Sequence, residues 1–430
     1  MSSYHIPAYD PGTTVQSLAV TENGIYTAQA GEAYSPVTVN VSGGSAFSAP
    51  LKDVNFIDYD GTILYSYSAS DFASLSAMPS NPTHAGLTSQ GWNWTLSGAQ
   101  SYVATYGKLV IGQMYITTSG KTEIDIVLDD DTLTPYLAFT LNGTVKIDWG
   151  DGSSAQTIYG PTYLNLKYTQ HTYSSPGSYT ISIESISSGA YRFPSDSSCI
   201  LFSAPGSYNR KYANCIKAIR LGLGIHQYVL QNSFICSAEY ITIPSYISPS
   251  FLNFEYCPNL KAITLPNLSG IMNYFAGNTS LQFVSLSQEM IGWDTPALDS
   301  ILEDCRSLKV FCGTTTEQYV VEKSFLGCWG LRHVVIPNSV THIYSSAFES
   351  CRSLESVIIP ASVENIGTRA FADCYSVLEY HILPTTPPII NSQAFANIHT
   401  DCKFYVPSDS LADYQAASGW SAYASRMIGE

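Results

Sequence analysis

The sequence predicts a mainly β chain that ends in a repeat solenoid, and three observations carry that prediction. Residues 331–353 and 354–376 are two consecutive segments that share eleven of 23 positions. Among the shared pairs are Val334/Val357, Pro337/Pro360, Phe348/Phe371 and Cys351/Cys374, and such a period is the signature of stacked units. Short apolar-x-apolar-Pro pieces recur upstream, as ITIP from residue 241 and KAITLP from residue 261. They read as short strands that proline ends. The composition agrees, with only 12% charged residues, 13% aromatics and 31 tyrosines, a balance suited to a β-rich surface protein.

Followed backwards from Cys374, the cysteine position returns at Cys351, Cys328 and Cys305 in steps of 23. It then returns at Asn278, Cys257, Cys236 and Cys215, in steps of 21 apart from one of 27. An apolar residue follows three places later in most rungs: Leu260, Leu281, Leu308, Leu331, Leu354 and Val377. Asn and Cys alternate at this position in leucine-rich repeats. One such rung cannot bury its apolar edge alone, so neighbours must stack. On these residues the region from about 199 to 383 resembles the BspA-like class of bacterial leucine-rich repeats. Residues 291–324 depart from the pattern, with a long insertion and Gly313 at an expected strand position.

In chain order, residues 1–47 hold two strand-like pieces within ENGIYTAQAGEAYSPVTVNVSGG, closed by a flexible Ser-Gly-Gly joint. The segment is too small for a core of its own. It resembles N-terminal pieces of prophage-encoded structural proteins, which implies docking onto a particle; packing on its own chain is the other reading.

Residues 48–118 form a small α+β module. Asp60-Gly61 between two β-rich runs is a hairpin signal. The same residues spell DxDGT, the phosphatase loop of haloacid-dehalogenase-like enzymes, in which Asp58 would be the nucleophile and Asp60 a general acid. That family needs a parallel sheet with helical crossovers. The alternating strand ILYSYS follows here instead, so the hairpin is favoured. Ser97 is the expected cap of a helix that Gly107 stops, and Trp92 and Trp94 read as core anchors.

Residues 119–190 alternate strongly. Trp149-Gly150-Asp151-Gly152, then His171-Thr172-Tyr173 and Pro176-Gly177-Ser178-Tyr179, resemble the PKD-type β-sandwich, which implies a spacer or adhesion unit and no chemistry. Gly150 and Gly152 permit a positive φ at the turn, and Trp149 supplies an anchor. Asp129, Asp130 and Asp131 offer hard oxygen ligands for Ca²⁺, but such a run reads first as a solvated loop. Residues 191–383 are the solenoid and 384–430 its C-terminal cap, in which Ser408 or Asp409 caps a helix through Tyr414. The ending also resembles the cap of BspA-like proteins.

Ten cysteines could suggest disulfides, but seven lie on the ladder. Stacked strands hold parallel side chains about 4.8 Å apart, which misses the twist a disulfide needs. The ladder thiols are therefore expected to be buried and reduced, while Cys199, Cys312 and Cys402 stay open.

The formal net charge of −15, from 34 acids against 19 bases, opposes phosphate backbones and argues against nucleic acid as a partner. The start, MSSYHIPAYDPGTTV, lacks the basic and apolar regions of a secretory signal, and no apolar run is long enough to insert in a membrane. No GxSxG, HExxH, phosphate-binding glycine loop or CxxC pair occurs, so no enzyme, cofactor or metal is expected. Recognition is expected instead, on the surface that stacking creates. With the apolar pair of each strand turned inward, the outward positions are Tyr240, Thr242, Thr264, Phe283, Ser285, His333, Val335, Ser356 and Ile358, beside Ala262.

Hydroxyls and aromatic rings there suit a bacterial surface glycan or protein. An arm, a module, a PKD-like spacer and a terminal solenoid give an attach-project-bind layout. The leading expectation is a phage or prophage tail-associated receptor-binding or fibre protein, assembled in the host cytoplasm and bound to other virion tail proteins through its N-terminal segment, with a homo-oligomer open. The alternative is a BspA-like adhesin on the bacterial cell surface.

Overall fold

The computed structural model describes residues 51–193, 212–225, 237–247, 254, 257–266, 275–286, 301–312 and 318–430, with the backbone of 3–5, 24–30, 33–39 and 201–202 besides. Strands Ser3–His5 (β1), Gly24–Ala30 (β2) and Ala33–Val39 (β3) make one sheet, with β1 parallel to β2 and β2–β3 an antiparallel hairpin. The two expected strand pieces are β2 and β3. The Ser-Gly-Gly joint lies outside the described residues.

The module consists of Val54–Ile57 (β4), Ile63–Tyr67 (β5), Ala69–Ala73 (α1), Leu87–Trp92 (β6), Leu96–Tyr106 (α2) and Leu109–Thr117 (β7). Its sheet runs β5-β4-β7-β6, with β4 and β7 parallel. The hairpin forms at Asp60-Gly61: Gly61 takes φ +86°, and Asp60 Oδ1 accepts the Thr62 amide at 2.9 Å. Asp58 is buried and fully engaged, 2.7 Å from His84 Nε2, while accepting from Tyr115 Oη at 2.7 Å and the Tyr59 amide at 2.9 Å. Gly107 ends α2 in the left-handed region as expected, but the cap is Thr95, whose hydroxyl accepts the Gly98 amide. Leu96 already has helical geometry, which puts Ser97 two residues too late for that role.

Strands Thr122–Leu128 (β8), Tyr136–Asp148 (β9), Gln156–Gln170 (β10) and Gly177–Arg192 (β11) follow as long antiparallel partners. The two-sheet PKD-like sandwich expected here is not confirmed: among the described residues these strands share one sheet, ordered β10-β9-β11-β8. That sheet is continued by Ile216–Arg220 (β13), which pairs antiparallel with β8, and by Tyr240–Thr242 (β14), while the short strand Leu201–Phe202 (β12) pairs with β9. Chain continuity at the expected 190/191 boundary is therefore a hydrogen-bonded sheet. The WGDG residues still form one knot: Trp149 is buried, His171 stacks on it at 5.1 Å and sits 2.7 Å from Asp151 Oδ2, and Tyr173 Oη donates to the Trp149 carbonyl at 2.9 Å. Gly150 takes φ +78°, and a Cβ there would meet the Thr180 amide nitrogen at 2.9 Å. At Asp129-Asp131 the chain makes a solvent-facing turn in which Asp129 Oδ1 accepts the Asp131 amide and the Thr132 hydroxyl.

The solenoid then builds three parallel sheets. One carries Ala262–Thr264 (β15), Phe283–Ser285 (β16), Val310–Phe311 (β17) and His333–Val334 (β19); a second, of Ser356–Ile359 (β21), Glu379–Ile382 (β23), Lys403–Val406 (β25) and Met427–Gly429 (β26), follows it in the stack, tied to it by the Glu355 amide on the Arg332 carbonyl. The third holds Tyr319–Val320 (β18), His342–Ile343 (β20), Asn365–Ile366 (β22) and Ile389–Ile390 (β24).

The cysteine ladder has a specific bonding logic. Each thiol donates to a carbonyl of the preceding rung: Cys305 to Phe275 at 3.0 Å, Cys328 to Leu302 at 3.1 Å, and Cys351 to Phe325 and Cys374 to Phe348 at 3.2 Å. Asn278 fills the same place with two bonds, donating to the Phe254 carbonyl and accepting the Cys257 amide. The described ladder cysteines are buried with free thiols, as are Cys312 and Cys402; Cys199 and Cys236 lie outside the described residues, as does Gly313. Beside the ladder, Phe325, Phe348, Phe371 and Phe395 stack at 5.0, 5.1 and 5.5 Å with planes within 8°. A helix, Leu411–Ala416 (α3), closes the end with Tyr414 and Trp420 buried. Its cap position is Ser410, after a short 3₁₀ turn, and not Ser408 or Asp409.

Candidate functional site

The outward positions of β13–β17, β19, β21, β23, β25 and β26 form two rows. One runs Tyr240, Ala262, Phe283, Val310, His333, Ser356, Glu379 and Lys403. The other runs Arg220, Thr242, Thr264, Ser285, Cys312, Val335, Ile358, His381, Tyr405 and Ile428. These rows contain the nine positions singled out from sequence, and the structure divides them.

The first half is covered by the chain itself. Thr242, Thr264, Phe283 and Ser285 are buried under the module, with Phe283 and Ser285 at 0% exposure. Ala262, Phe283, Val310 and Cys312 complete the module's own core with Val54, Phe56 and Ile111. Ser285 Oγ donates to the Val110 carbonyl at 2.9 Å and receives the Asn93 amide at 3.0 Å. Trp94 Nε1 reaches the Leu286 carbonyl at 2.6 Å. Thr242 Oγ1 and Thr264 Oγ1 are buried without a hydrogen-bond partner, a cost the surrounding packing must offset. These residues are thus corrected from ligand contacts to an intramolecular interface. The module's apolar sheet face needed a partner, and the solenoid supplies it.

Tyr240 is half-buried, its ring 4.6 Å from that of Tyr59 and its hydroxyl accepting from Arg220 Nη1 at 3.0 Å. Arg220 in turn is bound to Glu123 and Asp125, so three parts of the chain meet there. At the module's border, Val335 packs against its core, and His333 lies half-buried with Nε2 3.6 Å from Glu355 Oε2. Burial, then the positive charges of Lys108 and Arg332, lower the His333 pKa to about 4.

Beyond the border the face is open. Ser356 is exposed and Ile358 is 57% exposed. The row continues through positions that sequence reasoning did not mark: His381 stacks on Tyr405 at 4.8 Å with planes 11° apart, and Ile428 is 40% exposed at the far end. Glu379 and Glu430 lie 3.7 and 3.0 Å from the two His381 ring nitrogens, and Lys403 is exposed alongside. The signal was available, since EYHI at 379–382 follows SVII at 356–359 at the same step of 23. The result is a stripe of aliphatic and aromatic side chains, rimmed by carboxylates, an amine and a hydroxyl, with the module as a wall at one end. Among the described residues no group of three or more His, Cys, Asp or Glu is arranged to hold a metal ion, and no helix is long and apolar enough to cross a membrane.

Parallel sheets joined rung by rung through a Cys/Asn ladder define a β-solenoid of the leucine-rich-repeat type. Residues 209–300 and 298–413 match the family described as the BspA type leucine rich repeat region, in six copies. Among solved structures, the chain is similar to a leucine-rich repeat protein from Bacteroides ovatus ATCC 8483, with 25% identity and a TM-score of 0.28. That match covers 46% of this chain and 63% of the other, so this chain spans under two thirds of that relative's length. No curated protein matches it.

Proposed function

We propose that this chain is a recognition protein that binds a bacterial surface glycan or protein through the open stripe from Ile358 to Ile428. The observation that carries this reading is the division of the solenoid face. Half is sealed by the module, while the remainder keeps the stacked pair His381/Tyr405 and two exposed isoleucines in one row. A rigid apolar strip with a polar rim is the anatomy of a binding surface, and aromatic rings give contact area at low entropic cost. BspA-type repeats are commonly used for binding or adhesion, and that supports the same direction.

The finer reading is that of a phage or prophage tail-associated receptor-binding protein, with residues 1–47 as the attachment segment. The small sheet β1–β3 ahead of the module is compatible with it. The experiment is binding of the full chain to intact bacterial cells, comparing the natural protein with Tyr405→Ala and Ile358→Asp. Loss of cell binding with an unchanged melting temperature supports the stripe; full retention in both variants overturns it. Whether the protein fractionates with particles or with the cell envelope then separates the tail protein from the surface adhesin.

A further inference from the structure

The position after each ladder cysteine forms a column of its own along the solenoid edge: Arg306, Trp329, Arg352 and Tyr375. The guanidinium carbons of Arg306 and Arg352 lie 4.5 and 4.8 Å from the Trp329 ring centroid. Because Trp329 belongs to the rung between them, the two cations lie on opposite sides of one indole. Cation–π attraction holds both heads.

Their charges are poorly matched within the chain. Arg306 has one carboxylate contact, through Nε, to Asp304 at 3.3 Å, and its side chain is 45% exposed. Arg352 has no carboxylate partner among the described residues, and its Nε is buried without an acceptor. The neighbouring acids do not serve it: Glu349 and Asp373 are both taken by Arg369, at 2.7 and 2.8 Å. An uncompensated cation stands out in a chain of formal charge −15. Leucine or tyrosine would cover the same edge without leaving a buried N–H unpaired.

We infer that the Arg306–Trp329–Arg352 stack is a binding site for the carboxylates of an acidic polysaccharide. A guanidinium fork matches a carboxylate through two parallel N–H bonds. The two heads stand two rungs apart, about 9.5 Å, which suits carboxylates on alternate sugars of an extended polymer. It does not suit a nucleic acid strand, which carries a charge about every 3.4 Å, and the chain's net charge disfavours so dense a polyanion further. This site is on the rung edge and does not depend on the stripe from Ile358 to Ile428.

The test uses the full chain titrated with hyaluronan oligosaccharides, which carry a carboxylate on every second sugar, with neutral dextran and inorganic polyphosphate as the other arms. Binding is read by calorimetry and by tryptophan fluorescence. Saturable hyaluronan binding that weakens with salt, falls at least tenfold in Arg306→Gln/Arg352→Gln, and stays impaired in Arg352→Lys is the expected result. The lysine keeps the charge but loses the planar fork. Arg306→Glu alone, at the exposed head, keeps the test valid where the double variant loses its fold. No hyaluronan binding at low salt, equal binding by folded variants, or tighter binding of polyphosphate each overturns the inference.

Discussion

Gly112 leaves no room for a side chain against Thr264: a Cβ built on it would lie 2.6 Å from Thr264 Cγ2 and 2.8 Å from Thr264 Cβ. The separation between β7 and the solenoid strands beneath it is thus set by a missing side chain. At the hairpin tip Gly61 also meets the solenoid, over Ala262, but there a Cβ would have an ordinary contact distance of 3.4 Å and it is the positive φ of +86° that calls for glycine. The module is fitted to this part of the face, and the fit explains why the face divides.

Replacing Gly112 by valine is expected to lift β7 from the solenoid and to cost about 1–3 kcal/mol, the usual range for overpacking a tight interface. Amide exchange should accelerate in residues 262–264 and 283–285, while residues 356–359 and 403–406 keep their protection. Unchanged protection under the module would show that the contact is not what holds it down.

The ladder predicts an ordering of substitutions. Asn278→Ala removes partners from both the Phe254 carbonyl and the Cys257 amide, whereas Cys351→Ala removes one donor, from the Phe325 carbonyl. A buried group left unpaired costs about 1–3 kcal/mol, so Asn278→Ala should destabilise more than Cys351→Ala. Cys351→Ser should fall closer to the natural protein than the alanine variant, because the hydroxyl still donates. Chemical denaturation of the three variants checks this; equal losses for all three would mean that volume, and not bonding, sets the cost.

Much of this solenoid was legible because its determinants are local and periodic. Cys305, Cys328, Cys351 and Cys374 occupy equivalent places because each thiol adds a second bond to a carbonyl of the preceding rung that already accepts an amide of its own rung, and that tie recurs at every step. The covering of Thr264 and Ser285 was not legible, since the residues responsible, Asn93, Trp94 and Gly112, lie some 150 to 190 positions earlier and follow no shared period. The joining of these strands into one sheet with β13 was hidden for a related reason. Alternation in β8 reports that the strand is half-buried, but not whether its edge meets β11 alone or β13 as well. Of the candidate site, Ser356 and Ile358 were read correctly as outward, and His381 and Tyr405 escaped because their rungs have lost the Ser-Val-x-x-Ile tail that marks the two before them.

Thiol chemistry offers a check of burial. Burial raises the Cys312 and Cys402 pKa values to about 12, and pushes those of Cys328 and Cys351 well above the ordinary value. Since the thiolate is the reactive form, these four should resist alkylation at pH 8 in the folded chain and react fully after denaturation. Site-by-site mass spectrometry of iodoacetamide-treated protein reads the outcome. Rapid labelling of Cys351 in the native state would contradict the ladder.

His333 provides a prediction with a defined sign. Its folded pKa of about 4 lies below the ordinary value of 6.5. Between these values the unfolded chain holds a proton that the folded chain does not, so stability rises with pH across this window. The contribution is fully present above pH 6.5 and is lost as pH falls to about 4. Lys108, Arg332 and Glu355 face the ring from three directions, together with the more distant Asp53. The lowered carboxylates act elsewhere: Asp151, held near 2 against desolvation by bonds from Ser153 and His171, loses its contribution only below its ordinary value of 3.8. His333→Gln keeps a polar side chain of similar size that does not titrate. Melting temperatures from pH 8 to pH 4 should therefore fall less steeply in the variant than in the natural chain, with the curves diverging below pH 6.5. Parallel curves would show that His333 is free to protonate, and that the border of the module is open to water.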